Sequence, residues 1–202
     1  MSSLPESLAY WVCGAILLFW FVGAYNRLVR LRSLALQAYE TLDAALLRQV
    51  DFVQAHTAAA RAQAGDAPDE SALSSLHATT GQLTTLLGAT RQRPLDPARI
   101  AALATALHVM LAAWERMHPE SVVSFEPNGT LSRPPPGADG APLPLPPAAA
   151  ALLTAWPEPS AAAEIARTHF NLCVTRYNAA IRQFPAVLVA WVMQLKRAAA
   201  LD

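Results

Sequence analysis

The stretch SLAYWVCGAILLFWFVGAYNRLVRLR, residues 7–32, decides how the rest of the chain is read. From Ser7 to Asn26 it carries no charged side chain. That is about the length a helix needs to cross a hydrocarbon core of roughly 30 Å. Leu8, Trp11, Ile16, Leu17, Phe19, Trp20, Phe21 and Tyr25 make up the expected membrane anchor. Tyr10 and Trp11 at one end, with Trp20 and Tyr25 toward the other, give a partial aromatic belt. A cleaved signal peptide is the rival reading, and it calls for a basic start and a small-residue cleavage site. The start, MSSLPES, has one acid and no base, and Tyr25-Asn26-Arg27 is a poor cleavage site. The segment therefore reads as an uncleaved anchor over residues 1–26. Arg27, Arg30 and Arg32 follow it and no base precedes it. Because basic residues stay on the cytoplasmic side, the N-terminus is expected outside and the bulk of the chain in the cytoplasm.

Residues 27–202 read as a helical bundle. Over half of the chain is apolar and only 15% is charged, which excludes disorder of the whole. The formal net charge is zero, whereas nucleic-acid binding needs a basic excess, so no nucleic acid is expected as a partner. Leu28, Leu31, Ala35, Ala38, Leu42 and Ala45 recur at spacings of three and four, with Phe52 one heptad past Ala45. No Pro or Gly interrupts residues 24–64, so the anchor is expected to run on as one helix until Gly65. A second helix is expected from Pro68 to Arg91, started by Asp66 and Asp69, with Leu73, Leu76, Leu83 and Leu87 on one face. RPLDPARI then marks a tight connection, with Asp96 as N-cap and Pro97 at the first helical position. The third helix presents Ile100, Leu103, Leu107, Met110 and Trp114.

Residues 119–159 hold eleven of the sixteen prolines and read as a flexible or polyproline-like loop, or as a ligand for a proline-binding module. The fourth helix is expected from about Ser160. Phe170, Val174, Tyr177, Ile181, Phe184, Leu188, Trp191 and Leu195 lie along it at spacings of four and three, a seam that needs a partner helix. An antiparallel up-down-up-down order fits the lengths, with helices one and four standing alone nearest the membrane.

The motifs AYNRLVRLRS, Ala38-Tyr39, Leu42-Asp43, Leu46, Arg48 and Asp51 resemble the opening of the LemA family. In that family an N-terminal membrane helix leads into YNxLVxLR and a long bundle helix. EIARTHFNLCVTRYNAAIRQFP resembles the family's later pattern, falling here on Ile165-Ala166, Phe170-Asn171, Tyr177-Asn178 and Phe184-Pro185. Trp114-Glu115-Arg116 resembles the end of the third helix. The chain departs from the family at DFVQAHT, at Met193-Gln194 where Gly-Phe is usual, and in its longer proline loop. The resemblance implies an all-α fold, an N-terminal transmembrane helix continuing into an elongated antiparallel four-helix bundle, in a bacterial inner membrane. It implies architecture more than chemistry.

An aromatic residue followed by Asn occurs at Tyr25-Asn26, Phe170-Asn171 and Tyr177-Asn178. Asn171 and Asn178 share a helix face, and Asn178 would face residues 43–50 of helix one. With Tyr177 and Phe184 they are expected to set the register of the bundle, since buried amides must be hydrogen-bonded. FPAVLVAWVMQL, residues 184–195, is too short to span a bilayer and too apolar for a stalk to bury. Val187, Leu188, Trp191, Val192 and Leu195 are its candidate interaction surface, toward either the membrane interface or another protein. Pro185 is expected to kink the helix here and turn it toward the membrane, and Lys196 and Arg197 join Arg27, Arg30 and Arg32 as a basic collar at the headgroups.

Chemistry is scarce. The five histidines show no metal spacing, and there is no phosphate loop or nucleophile motif. No catalytic, metal or cofactor residue is expected. His56 and His169 could meet across helices one and four. Asp43 and Asp51 read as ion-pair partners of Arg48, Arg176 or Arg182. Cys13 and Cys173 read as small buried apolar residues rather than a disulfide. The function expected is a noncatalytic membrane scaffold or adaptor, with membrane lipid and a second copy or another membrane protein as partners. The alternative is a membrane-attached sensor with a ligand pocket around His56, Trp114 and His169.

Overall fold

The computed structural model describes residues 6–63, 70–118, 124–125, 131–132 and 156–201. The expected helix start at Asp66, Pro68 and Asp69, the stop at Gly65, and nearly all of the proline loop lie outside the described residues, as does the side chain of Leu8. Five helices are described: α1 Glu6–Gln63, α2 Glu70–Arg91, α3 Pro97–Met117, α4 Pro157–Arg182 and α5 Ala186–Val192. Between α3 and α4 a two-residue antiparallel pairing joins Ser124–Phe125 to Leu131–Ser132.

α1 is one unbroken helix of 58 residues, about 87 Å at 1.5 Å per residue. Its two halves differ. From Tyr10 to Val22 every side chain is exposed, with Trp11 80% and Phe19 83% exposed. From Ala24 onward a stripe of Leu28, Ala35, Ala38, Leu42, Leu46, Val50 and Val53 is buried. Its three-and-four spacing is the reason the helix can serve as a spine.

α4 lies along α1 in the opposite direction. Tyr39 meets Phe170 at 5.9 Å between ring centroids, Phe52 meets Trp156 at 5.6 Å, and Trp20 meets Phe184 at 5.2 Å. α2 packs on α1, where Arg91 reaches Asp43, and α3 packs on α2. Asp96 caps α3 by accepting from the N–H groups of Ala98 at 3.0 Å and Arg99 at 3.5 Å, with Pro97 following it. Ile100, Leu103, Leu107, Met110 and Trp114 form the buried face of α3, as its periodicity requires. Among the described residues two helices are long and apolar enough to cross a membrane, α1 from Tyr10 and α3. They differ in packing: 11% of the apolar window of α1 is buried against 39% of that of α3.

The fourth helix departs from its expected course. α4 begins at Pro157 rather than Ser160, after Trp156, without a side-chain cap. It stops at Arg182, so the kink expected at Pro185 is a full break, with α5 beginning as a separate helix at Ala186. Pro185 opposes continuation of the helix. It has no N–H for the helix ladder, and it disfavours helical backbone at the residue before it. The helix has already ended two residues ahead of Pro185, at Gln183, whose backbone is extended.

The candidate functional site at the α5 turn

α5 is a seven-residue helix that sits where α1 passes from its exposed to its buried half. Ala186, Val189 and Ala190 are buried. The helix ends in a backbone motif that reverses the chain. Leu195 N–H donates to Ala190 C=O at 2.9 Å, and Gln194 N–H donates to Trp191 C=O at 3.2 Å. This crossed pair is the Schellman arrangement, which places its C′ residue in the left-handed region. Gln194 occupies that place with φ 51°. A glycine is usual there, because a Cβ costs about 1–2 kcal/mol in that conformation.

Beyond Gln194 the chain turns back as an extended segment along α4. Two asparagines of α4 hold it. Asn178 donates from Nδ2 to Ala198 C=O at 2.8 Å and accepts at Oδ1 from Ala198 N–H at 3.0 Å. Asn171 does the same for Leu201, at 3.0 and 2.8 Å. The spacing is metric. Seven helical residues rise about 10.5 Å, and three extended residues cover about 10 Å. Each carboxamide therefore meets both backbone groups, N–H and C=O, of one residue. Tyr177 Oη adds a bond to Lys196 C=O at 3.1 Å. Ala198 and Leu201 are buried, Leu201 completely. The expectation that Asn171, Tyr177 and Asn178 set helix register against α1 is thus corrected. Tyr177 is buried against the core, but all three polar groups hold the C-terminal segment. Heptad spacing on α4 is identical for the two roles, so sequence could not separate them.

Phe184 is not a seam residue either. It is 67% exposed, on the turn before α5, and touches Trp20. Of the candidate interaction surface, Val187, Leu188, Trp191 and Val192 are exposed, Trp191 at 80%. Leu195 leaves that surface and lines a polar cleft instead. Exposed apolar side chains of α5 and of residues 10–22 of α1 thus adjoin through the Phe184–Trp20 contact.

The basic collar divides. Arg27 borders an apolar hollow of about 230 Å³ with Trp20, Phe184 and Pro185. Arg30 stands exposed. Arg32, Lys196 and Arg197 converge on a cleft of about 410 Å³, together with Arg93 from the turn between α2 and α3. Asp96 and Tyr177 line it too. Burial raises the Tyr177 hydroxyl pKa above its ordinary value, and the nearby Arg32 cation opposes the rise. Arg93 was missed by sequence reasoning. Nothing in RPLDPARI signals that its turn meets the C-terminal segment, because no periodicity links them.

Other expected pairings are replaced. Asp43 binds Arg91 of α2, at 2.9 Å to both Nε and Nη2, and not Arg48, Arg176 or Arg182. Among the described residues Asp51 has no ion pair. Tyr39 is buried beside this pair, and its pKa is pushed up to about 12, by burial first and by the Asp43 carboxylate second. His56 meets Trp114 at 5.3 Å and His118 at 4.7 Å, while His169 lies near Cys173, Nε2 to Sγ 3.9 Å. His169 lines a groove with Gln37, Glu40 and Arg48 on the α1–α4 side. Trp114 is packed by Phe52 and stacked on Trp156 at 4.4 Å. Cys173 is buried as expected, but Cys13 is exposed on the apolar half of α1. Among the described residues no group of three potential metal ligands occurs. Comparison with protein-family models, with curated proteins and with solved structures finds no match to this chain.

Proposed function

We propose that the chain is a noncatalytic scaffold or adaptor of a bacterial inner membrane, with LemA-like architecture. In this reading residues 7–26 of α1 span the bilayer, and Arg27, Arg30 and Arg32 keep the rest in the cytoplasm. α1 to α4 form an elongated antiparallel four-helix bundle whose surface meets a second copy or another membrane protein. α5 is a second membrane contact, seated in the interface beside the anchor. The observation that carries the reading is the contact of Phe184 with Trp20 at 5.2 Å. Trp20 lies six residues before Asn26, about 9 Å inside the apolar stretch. The exposed Leu188, Trp191 and Val192 adjoin that level. Water does not favour so large a continuous apolar surface, and a bilayer covers it. The orientation of α5 then fixes how the bundle stands on the membrane.

Two measurements test this. Tryptophan emission of the full chain in vesicles, minus that of Trp191→Phe, isolates Trp191. Quenching of that difference by brominated lipid is expected; no quenching, with the remaining tryptophans still quenched, removes α5 from the bilayer. Mass photometry of the full chain in mild detergent reads assembly. A homo-oligomer or a stoichiometric companion is expected, and a lone monomer refutes the scaffold.

The alternative, a membrane-attached sensor that binds a small ligand or lipid beside the bundle, is favoured by one feature, the basic cleft.

A further inference from the structure

We propose that the cleft between α1, the α2–α3 turn and the C-terminal segment is a phosphate-binding site. The phosphate is carried either by an anionic phospholipid headgroup or by a soluble phosphate ester. The chemistry is the same for both. Arg32, Arg93, Lys196 and Arg197 face one cleft of about 410 Å³, a volume suited to a small polar ligand. One carboxylate, Asp96, also lines it. That carboxylate is already engaged by the first N–H groups of α3. Among the described residues none of the four cations has a side-chain hydrogen bond or ion pair. Over the whole chain fifteen basic residues balance fifteen acids, so four cations against one acid is a local imbalance, not a reflection of composition. Like charges brought together repel unless an anion sits among them.

The cations are also placed, not merely near. Tyr177 fixes the carbonyl of Lys196 and Asn178 fixes the peptide of Ala198, so Lys196 and Arg197 are gripped on both sides. The turn that carries Arg93 is closed by Arg93 N–H to Thr90 C=O at 2.9 Å and Asp96 N–H to Arg93 C=O at 3.1 Å. Arg32 rides on the rigid spine. Three segments distant in sequence thus present arginine and lysine donors to one volume, the arrangement that suits a phosphate group. The lipid source rests on the membrane reading above. Arg32 lies six residues beyond Asn26, about 9 Å along the helix, at the depth of headgroups outside the hydrocarbon.

The test uses the full chain in neutral detergent with two probes, inorganic phosphate and monomeric short-chain phosphatidylglycerol. Affinity is measured for the wild type, Arg93→Gln, Lys196→Gln and Arg30→Gln. Arg30 is an exposed cation of the same region that does not line the cleft. Arg93→Gln and Lys196→Gln are each expected to weaken binding about fivefold, and Arg30→Gln to leave it within twofold. Binding of both probes with this pattern supports the site with a soluble phosphate as its ligand. Binding of the lipid alone with this pattern supports it with a headgroup. No binding of either probe, or equal losses at Arg93 and Arg30, overturns the site, the latter because it is the mark of diffuse surface charge. Circular dichroism confirms that the variants fold. Failure of the membrane reading is separable. A chain whose Trp191 stays unquenched but whose cleft holds inorganic phosphate loses the bilayer contact and keeps the site.

Discussion

Removing the Asn178 carboxamide tests the C-terminal clasp most directly. Asn178→Ala deletes two hydrogen bonds to Ala198, of 2.8 and 3.0 Å. Each contributes about 0.5–1.5 kcal/mol net, so the clasp loses about 1–3 kcal/mol. The freed peptide groups escape the larger cost of burial without partners by lifting into water with the segment. Leu201, fully buried, then holds the end through its own apolar contact and through Asn171. Loss of 1.4 kcal/mol is tenfold in an opening equilibrium, so the Ala198 amide should exchange about 10–100 times faster. Hydrogen exchange read by mass spectrometry on the C-terminal peptide measures this. Asn171→Ala should act alike on Leu201. The double variant should cost less than the sum, since a released segment has no further bonds to lose. Asn178→Asp discriminates further: its carboxylate still accepts from Ala198 N–H but faces the Ala198 carbonyl with no donor, and the protection should again fall. The reasoning is refuted if both asparagines can be replaced with unchanged C-terminal exchange, or if the change appears instead as slippage of α4 along α1.

Three more expectations are narrower. The folded chain keeps the Tyr39 proton above pH 10, where the unfolded chain loses it, because the folded pKa is about 12. Stability should therefore fall by about 1.4 kcal/mol per pH unit between those values, and Tyr39→Phe should flatten that fall in melting curves taken at pH 9 to 11. Asp96→Ala removes the cap of α3 and should lower stability by about 1 kcal/mol in denaturant titration. Gln194→Gly should raise stability by up to about 1 kcal/mol, seen as a higher Tm, because the residue already stands at φ 51°.

Much of the architecture was legible because it depends on local pattern. The uncharged run, the three-and-four stripe of α1 and the Asp96-Pro97 start of α3 each act within one or two turns of helix. The aromatic stripe of α4 was read correctly as far as Ile181, then carried too far. Leu188, Trp191 and Leu195 continue the spacing in sequence, yet the helix is broken at Pro185 and reversed at Gln194. The alanines at 198–200 favour helix by propensity and are extended in the structure. The amides of Asn171 and Asn178 and the burial of Leu201 outweigh that preference.

The sequence by itself determined the first three helices, the long spine with its two unlike halves, and the apolar excess of residues 184–195, since each follows from the side-chain pattern along one segment. The tertiary structure alone decided which peptides the asparagines hold, that Arg91 rather than Arg48 answers Asp43, and that Arg93 joins Arg32, Lys196 and Arg197 around one cleft. Those facts depend on the closing of loops and on the direction of a turn. Such choices are made by contacts between segments 20 or more residues apart, and no local spacing records them.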